Sequence, residues 1–159
     1  MKTDKLTKQV FESALRIVEI EGLEALNARK LAEESACALG SIYNAFGNLD
    51  DLRFHINATI LSRLYEQLSQ TAERGISQKA SLLALFKELA ISYVQFAMQN
   101  RLLWKTLFEY VPSVSSLPDW YTKRASAGIY QLCQRLSVAY GISEETAKRL
   151  IGFFWSSIH

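Results

Sequence analysis

A chain of 159 residues with 49% apolar and 21% charged side chains can bury a sizeable core in one or two domains. It holds no run of about 18 apolar residues to span a membrane. The N-terminal MKTDKLTKQVFESALRIVEI breaks with charge too often for a signal peptide, so a cytoplasmic protein with no membrane partner is expected. The net charge of +2 does not argue for nucleic acid, and residues 1–55 hold seven Lys/Arg against nine Asp/Glu.

The first element is a helix from about Thr7 to Glu21, with Val10, Phe11, Ala14, Ile17 and Val18 on one face and Gly22 as its stop. Asn27 is placed to cap a second helix that runs through Ser35 and carries Leu31 and Ala32 inward. A third short helix covers about Leu39 to Phe46. Gly47 ends it, and Asn48 caps a long fourth helix reaching about Arg74, with Asp50 and Asp51 in its first turn. Leu52, Ile56, Ile60, Leu64 and Leu68 form its stripe, and Gly75 and Ser77 read as punctuation after it.

A further helix carries Leu82, Phe86, Leu89, Tyr93, Phe96 and Ala97, and Asn100 separates it from the short LLWKTLFEY segment. The only two prolines, Pro112 and Pro118, bracket the Ser-rich PSVSSLP linker. Asp119 to Tyr140 is the next helix, followed by Gly141 as a stop and Ser143 as a new cap. The last segment, EETAKRLIGFFWSSIH, places Ala147, Leu150, Ile151, Phe154, Trp155 and Ile158 on a stripe, with Phe153 off it. It ends without a cap, so the chain is expected to be truncated at the C-terminus. No alternation for strands is present, and the fold is predicted to be all-α.

Within this chain the stretch LAEESACALGSIYNAFGNLDDL, Leu31 to Leu52, bears the functional signal. Two helices of about two turns each would be rods of roughly 12 Å, comparable with the roughly 12 Å width of the DNA major groove. Leu31, Ala32, Ile42 and Phe46 are spaced to bury one face of each against the first helix, with Ala32 and Ala36 small enough for a close crossing. The outward face would present Gly40, Ser41, Tyr43 and Asn44, groups suited to phosphates and base edges.

The first 52 residues resemble the DNA-binding domain of the TetR family of repressors, whose helices 2 and 3 read approximately IAEAAGVSxGTLYxHFxSKEEL. Leu31, Ala32, Gly40, Ser41, Tyr43, Phe46 and Leu52 fall where the family has its equivalents, and Ile42 replaces the usual Leu. Gly-[Ser/Thr]-aliphatic-Tyr-x-x-Phe after an Ala-Glu corner is specific to this family. The departures are Ala36 for the turn glycine, Ala38 for the capping Ser, Leu49 for a phosphate-touching Lys, and Asn44 and Ala45 after the tyrosine. The run Trp155 to His159 is similar to a Trp-x-x-x-His stretch of one branch.

The resemblance implies a helix-turn-helix domain over residues 1–48 and a helical ligand-binding and dimerisation domain over 49–159. It implies a homodimeric repressor of transcription that binds a palindromic double-stranded DNA operator. By analogy Tyr43 would donate to a phosphate, Ser41 would sit at the groove edge and Asn44 could read a base, with Leu39 and Gly40 also in the DNA-binding set. Arg29 and Lys30, with Lys2, Lys5 and Lys8, would supply backbone contacts. A small apolar or aromatic effector is expected among Phe86, Tyr93, Phe96, Trp104, Phe108, Trp120, Tyr130 and Phe154, part of an aromatic-rich region that also holds Tyr110 and Tyr121.

Cys37 and Cys133 lie far apart with no ligand spacing, and neither His55 nor His159 has a metal-binding neighbour in sequence, so no metal, disulfide or cofactor is expected. No paired carboxylates, Ser/His/Asp set, Cys/His pair or phosphate-cradling loop argues for an enzyme. The remaining rival is a helical interaction protein whose helix-turn-helix no longer binds DNA, which the acidic N-terminal half, Leu49 and the missing caps would suit.

Overall fold

The computed structural model describes residues 2–109 and 117–158, with side chains from 5–108 and 117–157. Tyr110, the linker from Val111 to Ser116 with Pro112, His159 and the side chain of Lys2 therefore lie outside the described residues, while Pro118 lies within them. Every regular element among those described is helical. In order they are α1 (Lys2–Glu21), a short 3-10 helix (Leu23–Ala25), α2 (Ala28–Glu34), α3 (Leu39–Phe46) and α4 (Leu49–Ser77). There follow α5 (Leu82–Gln99), α6 (Arg101–Glu109), α7 (Asp119–Tyr140) and α8 (Glu144–Ile158). No helix among them is long and apolar enough to cross a membrane.

The chain divides into two compact units. The first holds residues 1–60 and 100–121, the second 61–99 and 122–159. The units do not follow the expected division at residue 48. The start of α4 belongs with the helices before it, because Leu52 and Ile56 are fully buried there, and α6 returns to the same unit.

In the first unit Val10, Ala14, Ile17 and Val18 of α1 form the buried stripe read from the sequence, joined by Leu26, Leu31, Ile42, Phe46, Leu52 and Ile56. The stop after α1 is real: Gly22 has φ +88, where a side chain would be strained, and its N–H closes on the Val18 carbonyl at 3.1 Å. Helix α1 itself begins earlier than Thr7, since nothing in KTDKL breaks a helix. The single hydroxyl proton of buried Thr106 in α6 has two acceptors within reach, Asn57 Oδ1 at 2.9 Å and the Leu103 carbonyl at 2.7 Å, so the hydroxyl is satisfied inside the unit.

In the second unit Leu64, Leu68, Leu85, Leu89, Phe96, Leu132, Leu136 and Ile151 form the core. Gly75 is not the stop expected of it. It lies inside α4, and a Cβ there would meet Leu85 Cδ1 at 2.6 Å; the chain reverses afterwards with Lys79 at φ 55. Gly128 of α7 has the same role more sharply, since a Cβ would come within 2.3 Å of the Tyr65 ring. A buried polar knot joins α4 to α5: Gln67 donates to the Ser92 carbonyl at 2.9 Å, and Thr71 to Ser92 Oγ at 3.1 Å. The expected caps of α7's and α8's ends hold, with Gly141 at φ 63 and the Thr146 N–H on Ser143 Oγ at 3.1 Å.

Candidate nucleic-acid interface

Helix α2 starts because Asn27, in an extended conformation, accepts the Lys30 N–H on its side chain at 3.0 Å. It ends through two paired backbone bonds, Ala36 N–H to the Glu33 carbonyl at 3.1 Å and Cys37 N–H to Ala32 at 3.0 Å. That pattern requires a left-handed residue, and Ala36 supplies it at φ 47. A side chain in that conformation costs about 1–2 kcal/mol, so the alanine in place of the family's glycine is a strained choice. Two side chains of α1 brace the corner from behind: Gln9 donates to the Ser35 carbonyl at 2.8 Å and Ser13 to that of Glu34 at 3.3 Å. Sequence reasoning missed both, because their partners are backbone atoms more than 20 residues away.

Helix α3 follows from Ala38, which is extended but offers no side-chain cap. It stops at Gly47, φ 62, and Asn48 caps α4 by accepting the Asp51 N–H at 2.8 Å. Eight residues of helix give a rod of roughly 12 Å. Ile42 and Phe46 point inward at 1% and 6% exposure. Phe46 packs in a ring cluster: its centroid lies 6.4 Å from Phe11 of α1 and 5.6 Å from His55 of α4, whose imidazole stacks on Trp120 at 4.2 Å.

The opposite side of α3 is open. Leu39 is 50% and Tyr43 45% exposed, Gly40 and Asn44 are exposed, and Ser41 is half-buried at the edge. Of the four residues assigned to the outward side, Gly40, Tyr43 and Asn44 are exposed and Ser41 is half-buried, with exposed Leu39 beside them at the start of the helix. Ala32 is half-buried and Ala36 is exposed. They line an open depression of about 510 Å3 with Arg29, Glu33, Cys37, Ala38 and Leu39.

The basic residues differ among themselves. Lys5 and Arg29 are exposed. Lys8 faces Glu12 one turn on at 3.7 Å, and Lys30 is tied to Glu21 by an ion pair and hydrogen bond. Lys8 lies one turn before Phe11, whose ring centroid is 6.4 Å from that of Phe46 in α3.

The eight aromatics assigned to an effector do not fall in one unit. Trp104, Phe108 and Trp120 belong to the first, where Trp104 and Phe108 pack on each other at 5.0 Å; Phe86, Tyr93, Phe96, Tyr130 and Phe154 belong to the second. There Phe86 meets Phe154 at 5.5 Å, and Tyr93 meets Trp155 at 5.4 Å. Burial, with Tyr65 close by, pushes the Tyr93 hydroxyl far above its usual range, so it stays protonated. Tyr130 is exposed and its hydroxyl accepts from Gln134 at 3.0 Å. A depression in this unit, about 350 Å3, has a mixed lining that includes Ser62, Tyr65, Glu66, Arg124, Gly128 and Arg135, and none of the eight aromatics.

No protein-family model matches the chain. It is 28% identical over 119 residues to an uncharacterized HTH-type transcriptional regulator of Haemophilus influenzae, covering 75% of this chain and 59% of that one. It is 24% identical over 86 residues to the HTH-type transcriptional regulator PksA of Bacillus subtilis, covering 54% and 42%. The chain thus spans about half the length of these curated relatives.

Among solved structures, the multidrug binding protein EbrR, complexed with imidazole, superposes with a TM-score of 0.67 at 19% identity, covering 96% of this chain and 81% of that one. A protein of Streptomyces coelicolor A3(2), described as a possible TetR family transcriptional regulator, superposes at 0.63 and 17% identity, covering 96% and 67%. The relatives are regulators rather than enzymes. The chain carries the all-helical fold of the TetR-type transcriptional regulators.

Proposed function

We propose that this protein is a DNA-binding transcriptional regulator that lays α3 in the major groove, acting as a homodimeric, ligand-responsive repressor on a palindromic operator. The observation that carries this reading is the division of α3 into a buried side, Ile42 and Phe46, and an open side holding Leu39, Gly40, Tyr43 and Asn44. The open side carries a hydroxyl and an amide that can meet phosphates and base edges. In this reading Tyr43 donates to a phosphate, Asn44 reads a base edge, and Arg29, Lys5 and Lys8 follow the backbone. Two such helices in a dimer would meet half-sites about 34 Å apart.

The effector side of the proposal draws its support from the ring cluster of the second unit. A flat apolar ligand would have to part Phe86 from Phe154 or Tyr93 from Trp155, ring pairs in which Tyr93 is buried and the other three are half-buried. A thermal-shift screen in which apolar aromatics raise the melting temperature, and carboxylates or phosphates do not, would bear that out.

The reading without DNA is favoured by specific features: two of the assigned cations already face carboxylates, and α3 starts uncapped. Selection from a randomised duplex library, followed by fluorescence anisotropy at two salt concentrations, separates the two. An enriched palindrome whose binding falls with Asn44→Ala and Tyr43→Phe supports the repressor. Weak binding with no enriched sequence rejects it.

A further inference from the structure

We infer that Leu39 reads the methyl group of a thymine, and so fixes an A·T pair at one position of each operator half-site. The inference rests on the DNA-binding reading and adds what that reading leaves open, the base under the first turn of α3. Leu39 is half exposed at the start of the helix, one turn from exposed Tyr43, so the fold gains little from its side chain. Around it the surface is apolar as well. Ala36 and Ala38 are exposed, and with Ala32 and Cys37 they line the open depression beside α3. The charged groups of that depression are exposed Arg29, which the DNA reading places on the backbone, and Glu33; the remaining lining side chains, Ala32, Ala36, Cys37, Ala38 and Leu39, carry no charge.

The chemistry of the groove then selects the base. Guanine presents two acceptors to the major groove, cytosine an amino donor, and adenine a donor and an acceptor. Pressed against leucine, each would exchange water for nothing, and an unpaired polar group is costly to desolvate. Thymine alone offers an apolar group on that edge, its C5 methyl. Gly40, the next residue, has nothing within 4 Å of where a Cβ would sit, so the fold does not require glycine and the bare backbone leaves room for the base pair to come close.

The test uses the selected operator with each thymine replaced, one at a time, by deoxyuridine, which deletes the methyl and nothing else. With the unaltered protein, one position per half-site should lose about 3- to 10-fold in affinity, the scale of one buried methyl group and its surroundings. Leu39→Ala should bind the thymine site that much more weakly and become indifferent to the same substitution. Leu39→Gln, reselected from the random library, should move its preference at that position towards adenine. Unchanged melting temperatures would show that both variants fold. Sequence-specific binding with no uracil-sensitive position, or with a sensitivity that Leu39→Ala retains, overturns the thymine assignment alone. Failure to enrich any sequence overturns the DNA reading and this inference with it.

Discussion

The corner between α2 and α3 and the packing of α4 against α7 use small residues in opposite ways. In the second unit, smallness is demanded from inside. Gly128 stands where a Cβ would run into the Tyr65 ring, and Gly75 where it would run into Leu85. At the corner the interior demands the reverse or nothing at all. Ala36 occupies a left-handed conformation that glycine would fill without strain, Ala38 leaves a helix end uncapped, and Gly40 is glycine in open space. The smallness of Gly75 and Gly128 is thus explained by packing, while Ala36, Ala38 and Gly40, whose choice folding does not explain, are gathered on the surface proposed to meet DNA. That is the distribution expected where local rules are broken for a ligand.

Four substitutions would break or sharpen this contrast. The largest effect should come from Phe46→Ala, which empties the ring cluster beneath α3 and should cost about 3–5 kcal/mol in chemical denaturation; a loss below 1 kcal/mol would mean that the cluster does not hold the helix. Gly128→Ala should destabilise by about 1–3 kcal/mol through overpacking against Tyr65, with no direct effect on DNA affinity at matched folded fraction. Ala38→Ser should restore the missing cap and gain about 1 kcal/mol. Smallest, Gly40→Ala should gain about 0.5–1 kcal/mol from helix propensity while weakening operator binding. A substitution that stabilises the fold and impairs binding has one explanation, that something approaches the backbone there. If Gly40→Ala left anisotropy titrations unchanged, the contrast between the two regions would lose its functional meaning.

Much of the frame was legible in the residues. The bounds of α3 and α7 coincide with expectation because each is set by local chemistry: Gly47 at positive φ behind one, and Gly141 behind the other. The caps Asn27, Asn48 and Ser143 were readable for the same reason. What could not be read depends on partners distant in sequence. A glycine inside a helix looks like a stop until Leu85 is seen against it. Gln9 and Ser13 look like ordinary surface polar residues until the carbonyls of the α2 end are beside them. The aromatics of the C-terminal half look like one set, yet Trp104, Phe108 and Trp120 belong with the N-terminal helices because residues 100–121 fold back into that unit. The outward side of α3 was legible because burying Ile42 and Phe46 leaves only a few residues free on so short a helix.

The stacking of Trp120 on His55 has a practical consequence. An indole held 4.2 Å from an imidazole, itself in contact with Phe46, senses any rearrangement beneath α3 as a change in its emission. Trp155 lies in the other unit, against Tyr65 and Tyr93. With Trp104 and Trp155 replaced by phenylalanine, Trp120 alone would report on the helices beneath α3, and with Trp104 and Trp120 replaced, Trp155 alone would report on the second unit, so the proposed operator and the proposed effector could each be followed without attaching a dye.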